Sequence, residues 1–344
     1  MSTLICPVIK LSNYPIIKHP DADSLSIVNY NVEAIIIKSE LFENEDFGVF
    51  IPIDTIGKEE GSLVPRRIVP MKLRGVLSHG LILPWGIVEE YFIKIGMSVK
   101  NIAYFKQEGI NVAGPLRLTK YQNTVKGYRN PDAIDSHESF NRYIDIEHYR
   151  NHIGWIPFGS LVQISAKLHG ANFRAGLIEN KLHVGSRNLS INVKSETSSI
   201  WSRCFREQGI DLFLNDLKEH FNIITEPIIV YGEVVGRGVQ TLHYGFSEPY
   251  FFVFDIQING VFLHPGFTKG LCDLYEIDHV PILKFGPFAK EDLELRNGFD
   301  FGFLREGIVI KQNEVDSRYG MRTTLKLISA EYNTKELKFD KIYE

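Results

Sequence analysis

Over roughly the first 125 residues, apolar positions come in short runs separated by turn residues. The runs "VEAIII" (32–37), "FGVFIPI" (47–53), "GLILP" (80–84) and "MSVKNIAYF" (97–105) predict strands. The stretches "HPDADS", "FENED", "GKEEGS" and "LSHG" predict the turns between them. Many short strands without a crossover helix favour a small β-barrel over an α/β sheet. The polar, weakly periodic segment 126–150 reads as a linker with some helix. From Trp155 onward strand patterns return in "SLVQISAKL", "NFRAGLI", "KLHVGS", "PIIVYGEVVG", "YFFVFDIQI", "GVFL", "EGIVIK" and "TTLKLIS". Between 196 and 222 the period changes: Ile200, Cys204, Phe205, Leu212, Phe213, Leu217 and Phe221 recur at helical spacing. The whole predicts an α+β protein whose second half carries a large, mostly antiparallel sheet.

A length of 344 residues is compatible with about two domains, and 44% hydrophobic with 23% charged residues is the composition of a globular chain. No apolar run approaches the ~20 residues of a bilayer span, so no membrane role is expected. "MSTLICPVIK" lacks a basic region followed by an apolar one, which gives no signal-peptide pattern. Three scattered cysteines, Cys6, Cys204 and Cys272, suit neither a disulfide framework nor a zinc site. A cytoplasmic location is the default, with a nuclear or viral setting left open. The net charge of −4 argues against wholesale nucleic-acid binding, but its distribution is uneven. Residues 1–60 hold four Lys/Arg against ten Asp/Glu, whereas residues 61–129 hold eleven against three. That cationic block includes Lys72, Arg74, Lys126 and Arg129, and suits a local phosphate-binding surface.

The candidate chemistry begins at "SAKLHGANFRAG" (165–176), where a strand pattern ends at a glycine and carries Lys167. A lysine there is either a solvated charge or a buried nucleophile. Four further fragments accompany it: "YGEVVG" with Glu233, "FFVFDI" with Asp255, "EGIVIK" with Glu306 and "TLKLIS" with Lys326. Each alone is ordinary strand composition; their order along one domain is not. His19, His79, His243 and His264 have no metal-ligand spacing and read as structural.

That order resembles the covalent nucleotidyltransferase superfamily of polynucleotide ligases and capping enzymes. It is most similar to the nick-sealing ATP-dependent RNA ligases of the Deinococcus and Naegleria type. Lys167, His169, Gly170 and Asn172 match the family's nucleotide-binding lysine motif, "GSRN" places its arginine at Arg187, and "YGEVVGRGVQ" supplies Glu233 and Gln240. "VFDI" gives Phe254 as the base-stacking aromatic, "EGIVIK" gives Glu306 and Lys311, and "LKLIS" gives Lys326. "HPDADSLSI" with "MKLRGVLSHGLILPWG" resembles the OB-fold domain that precedes the transferase in these ligases, with Lys72 and Arg74 as nucleic-acid contacts. The resemblance implies an OB-like β-barrel over 1–125, a linker over 126–150 and a nucleotidyltransferase domain over 151–344, with antiparallel sheets and flanking helices. Two departures stand out. Ala166 occupies a position that is often acidic. The last motif usually holds two lysines spaced by one residue, whereas Lys326 is flanked at that spacing by Thr324 and Ile328, with Arg322 as a candidate replacement.

The implied activity is ATP-dependent RNA ligation through lysyl-AMP and AMP-RNA intermediates, on nicked or broken RNA bearing 3′-hydroxyl and 5′-phosphate ends. A lysine with its reference pKa near 10.4 is neutral in only roughly one molecule in 2500 at pH 7, and a shift of ~3 units costs about 4 kcal/mol. Burial and neighbouring positive charge supply such a shift. The resemblance therefore implies Mg2+ or Mn2+, held largely through water by Glu233, Glu306 and His169. Gly170 is expected to let the loop approach the nucleotide, Arg187 to contact phosphate or ribose, and Lys311 and Lys326 to neutralise phosphate charge. DNA ligases and mRNA capping guanylyltransferases usually place an OB domain after the last motif; here 18 residues follow Lys326, which disfavours both. A catalytically inactive RNA-binding protein of OB type is the alternative of another class, and the intact set Lys167, Glu233, Glu306 and Lys326 argues against it.

Overall fold

A computed structural model describes residues 4–57, 61–121, 132–192, 199–314 and 322–332. Lys126 and Arg129 of the cationic block lie outside these residues, as do parts of the "GKEEGS" turn, of the linker (126–131), of the expected helix (196–198) and of the second domain (333–344). The chain divides into one unit lying before Gly127 and another spanning Gly127–Tyr332.

In the first unit, Val8–Lys10, Phe47–Ile51 and Leu81–Pro84 form one three-stranded sheet, and Ile16–Lys18, Leu25–Tyr30 and Glu33–Lys38 form another. The period-2 alternation of the first sheet buries both of its faces. Val8, Val49, Ile51 and Leu83 pack with Trp85, Val88 and Phe92 of the helix Trp85–Lys94. Ile9, Phe50 and Ile82 point the other way, into Val28, Ile35 and Ile37 of the second sheet. The described strands form separate small sheets, linked where His79 N–H donates to Ala34 O and Ile36 N–H to Ser78 Oγ. The expected strand 97–105 is instead the helix Val99–Phe105, because the Ser98 hydroxyl caps it by accepting from Asn101 N–H.

The second unit holds two sheets. The seven-stranded sheet runs Ala133–Ile134, Ser190–Ile191, Lys181–Ser186, Ala171–Ile178, Ile228–Val235, Tyr250–Ile258, Val261–Phe262. The five-stranded sheet runs Glu147–His148, Thr324–Ile328, Gly307–Gln312, Leu161–Lys167, Ile282–Pro287. All named pairs are antiparallel except Glu147–His148 with Thr324–Ile328. The helices Ile200–Glu207, Ile210–His220 and Pro265–Leu274 cover one face of the larger sheet, where Phe173, Val230 and Phe251 meet Phe205, Phe213 and Leu271. The single helical stretch read from the sequence is two helices, broken at Gly209, whose φ of 63° suits glycine. Among the described residues no helix is long and apolar enough to cross a membrane. The mixed α+β class expected from the sequence is the one found.

The expected linker is, over its described part, built into this unit. Ala133–Ile134 pairs with Ser190–Ile191, and Phe140 and Tyr143 are buried with Ile229 and Tyr231 on the second face of the large sheet. Its polarity misled the pattern reading because the segment packs partly on a buried cation. The Arg174 guanidinium lies 4.2 Å from the Phe140 ring centroid and donates to Phe140 O. Burial pushes Arg174 down to about 10. Phe140→Ala should therefore destabilise the protein by about 3–5 kcal/mol in urea unfolding, where a true linker position would change it by no more than ~0.5 kcal/mol.

Candidate active site

The strand Leu161–Lys167 belongs to the smaller sheet and Ala171–Ile178 to the larger, so residues 168–170 turn a corner between them. Lys167 is the last residue before that corner, and its register partner Gly307 follows Glu306. Lys167 Nζ donates to Glu306 Oε1 at 2.7 Å, with the two side chains 27% and 12% exposed. The lysine is thus neither a solvated surface charge nor sealed in the core. It sits partly exposed at a strand end, with a carboxylate as its partner.

Gly170 completes the corner. A Cβ there would lie 2.1 Å from Val234 O and 2.9 Å from Glu233 Cγ. The close approach expected of this glycine is therefore made to the strand that carries Glu233. The Gly170 N–H is hydrogen-bonded to the Glu233 carboxylate, and Asn172 sits directly across from Glu233 in the ladder. Burial raises the Glu233 carboxyl to about 7, helped by the Glu306 charge and opposed by Lys167, the Gly170 N–H and Arg187. His169 has its N–H bonded to the Tyr244 hydroxyl at 2.8 Å and its Nε2 3.4 Å from Thr241 Oγ1. Burial, the larger effect, and then Lys167 lower its pKa against the pull of Glu306, which favours a neutral imidazole.

Among the described residues no three His, Cys, Asp or Glu side chains form a closed metal centre. The donors nonetheless fit a hydrated divalent ion, which typically takes only one or two carboxylates beside water and phosphate oxygens. Glu306 Oε2 and Asn172 Oδ1 are buried without a hydrogen-bond partner, and the Glu233 anion is under-compensated.

Cross-strand registers place further expected residues on the face of Lys167. Ser165, Val309 and Lys326 form one row, and Gln163, Lys311 and Thr324 the next. Lys326 is half-buried in its row. Lys311, expected at a phosphate, is instead buried; it donates to Phe254 O and, at 3.0 Å, to Asp255 Oδ2. Burial lowers its pKa, Asp255 opposes the shift and Arg322 adds to it. Arg322, the candidate for the missing second lysine, is also sealed in: it donates to Asp255 Oδ1 at 2.9 Å and to Leu263 O. A third donor, Tyr143 Oη, completes the set on Asp255 Oδ2 at 2.8 Å. A buried carboxylate needs these donors, and so it holds both cations away from the corner.

Phe254 escapes this burial because of a bulge. The ladder pairs Tyr231 with Asp255 and Gly232 with Val253, which leaves Phe254 as the extra residue. Phe251 and Phe252 are buried whereas Phe254 is partly exposed; Tyr143 packs edge-on to its ring at 4.8 Å and Lys311 Nζ lies 5.3 Å from its centroid. Arg187, just past the strand Lys181–Ser186, is exposed and paired with Asp145. Gln240 is exposed in the turn after Ile228–Val235. In the first unit, Lys72 and Arg74 are exposed on the hairpin of Met71–Leu73 and Val76–Ser78. The four histidines set aside have local roles: His19, His243 and His264 accept backbone N–H groups through Nδ1, and His79 lies 3.5 Å from Glu33. Sequence reasoning missed Tyr143, Tyr244 and Asp145, for which no motif or periodicity gave a signal.

Residues 160–328 match the family model described as RNA ligase. A comparison with curated protein sequences gives no match. Among solved structures, a Naegleria gruberi RNA ligase mutant with ATP and Mn is similar at a TM-score of 0.73 and 21% identity, covering 97% of this chain and 99% of that one. A second mutant of that ligase with AMP and Mn gives 0.73 and 20% over 96% and 98%. The ligase with PPi gives 0.74 and 20% over 98% and 100%.

Two outcomes follow from the corner. Gly170→Ala should destabilise by about 1–3 kcal/mol in urea unfolding, because the new methyl meets backbone that cannot rotate away. The raised Glu233 carboxyl sets a pH dependence. Its folded value of about 7 exceeds the ordinary carboxyl value of 4.5, so its stabilising contribution is full below 4.5 and is lost as pH rises through about 7. Without divalent metal, Glu233→Gln should therefore melt higher than the unsubstituted protein at about pH 8 and show no such gain at about pH 4, by thermal scans.

Proposed function

We propose that this chain, whose residues 160–328 match the RNA ligase family model, is an ATP-dependent RNA ligase acting through Lys167. The observation that carries the reading is the Lys167–Glu306 pair at 2.7 Å, set at the corner that also brings Gly170 against Glu233. The likeness to a Naegleria ligase solved with ATP and Mn, and with AMP and Mn, supports these as nucleotide and metal class.

Lys167 Nζ, once neutral, attacks the α-phosphorus of ATP. The N–P bond forms as the bond to pyrophosphate breaks, and the amine proton leaves. Glu306 holds that amine at the strand end and is the nearest group able to accept the proton. Glu233 and Glu306 would hold Mg2+ or Mn2+, whose positive charge would favour the neutral amine. Lys326, on the same face, faces the developing phosphate charge, and Phe254 offers its bulged ring to the adenine. AMP then passes to an RNA 5′-phosphate, and a 3′-hydroxyl displaces it to seal the strand. Nicks in duplexes are the proposed substrate. Lys72, Arg74 and the cationic block of the first unit, read as an OB-type domain, bind the RNA backbone; Gln240 contacts RNA beside the transferase site. A cytoplasmic setting suits three reduced cysteines, all buried and free.

The direct test is incubation with ATP labelled on the α-phosphate and Mg2+ or Mn2+, followed by a denaturing gel. The unsubstituted protein should carry label and Lys167→Ala none; no label with either metal would refute the reading, and a preference for GTP would indicate capping chemistry. In RNA binding, Lys72→Ala and Arg74→Ala should each lower the slope of log affinity against log salt by about 1. An unchanged slope would remove the role given to that hairpin.

A further inference from the structure

We infer that Tyr244 is a positioning residue for the attacking amine: its hydroxyl fixes the corner peptide at His169 and so sets Lys167 against Glu306. The inference rests on the ligase reading above and adds a residue to it. Tyr244 lies in the segment that follows the Glu233 strand, far from Lys167 in sequence, and is only 3% exposed. Its hydroxyl accepts the His169 N–H at 2.8 Å, two residues beyond the lysine, at the one place where the chain crosses from the smaller sheet to the strand facing Glu233. An N–H at such a corner has no ladder partner of its own, and burying it unpaired would be costly.

The protein accepts an unfavourable backbone to place this hydroxyl. Tyr244 has φ of 51°, a left-handed conformation that is uncommon for a bulky side chain and persists only where the surroundings enforce it. The enforcing contacts are visible. The ring packs edge-on to Phe301 at 5.9 Å and Phe303 at 6.0 Å, and shares a buried cluster with Ala166 and Leu168, the residues on either side of Lys167. Since strain of this kind collects at sites where geometry matters for chemistry, the tyrosine belongs to the lysine's placement and not merely to the core beneath it.

Tyr244→Phe removes the hydroxyl and keeps the ring. A positioning role predicts that the single-turnover rate of lysyl-AMP formation at saturating ATP falls about tenfold or more, the weight of one hydrogen bond. The KM for ATP should change little, and sealing of RNA already carrying a 5′-adenylyl group, which does not need the amine as nucleophile, should persist. Thermal melting should fall by a few degrees, because the His169 N–H loses its acceptor. An undiminished rate of lysyl-AMP formation would overturn the inference. So would an equal fall in both steps, which would make the tyrosine merely structural. If the unsubstituted protein forms no lysyl-AMP, the ligase reading itself fails, and this inference with it.

Discussion

The hydrogen-bonded pair of Lys167 and Glu306 is the interaction around which the second unit is arranged. A half-buried ammonium and carboxylate are best tolerated when each compensates the other. The fold satisfies that condition by ending one strand at Lys167 and beginning its register neighbour immediately after Glu306. The pair then constrains what surrounds it. The chain must leave the smaller sheet within three residues, Gly170 must lack a side chain, and the strand bearing Glu233 must press against the corner. A second carboxylate held there is under-compensated, which is why burial lifts it to about 7. The corner therefore has the character of a cation site with a lysine already occupying part of it.

A second charged cluster serves a different purpose. Asp255 binds Lys311, Arg322 and Tyr143 with almost no exposure, and Lys311 also caps Phe254 O. Such a network joins the two sheets: Asp255 lies on the larger, Lys311 on the smaller. It also fixes the bulge, because Phe254 is the unpaired residue beside the carboxylate that three donors hold. The charges of this chain thus divide by exposure. Those with solvent access, Lys167 and Lys326, lie at or beside the corner, and the sealed ones shape its surroundings.

Much of this was legible in the sequence. Alternation gave the long strands of the second unit, and the order of Lys167, Glu233, Glu306 and Lys326 gave the residues that meet at or beside the corner. What was not legible has a physical cause in each case. Residues 132–150 look like a linker because their contribution rests on three scattered aromatic rings, Phe140, Tyr143 and Tyr149, and on backbone acceptors, not on an apolar period. The Val99–Phe105 helix reads as a strand because Val99, Ile102, Tyr104 and Phe105 are strand-favouring types, yet Val99, Ile102 and Ala103 fall at helical spacing and the Ser98 cap completes the helix. Lys311 and Arg322 read as phosphate ligands from their motif positions, but only the fold shows that a buried Asp255 claims both. Tyr244 carries no signal, since a hydroxyl that meets a backbone N–H 75 residues away follows no local pattern.

The account stands on the amine of Lys167 becoming covalently bound to AMP. The most direct measurement is peptide mapping by mass spectrometry after exposure to ATP and Mg2+ or Mn2+. The account predicts an adenylyl adduct on the peptide containing Lys167, labile to acid and stable to base, as a phosphoramidate is. An adduct confined to another lysine, or one with the opposite lability, would contradict it.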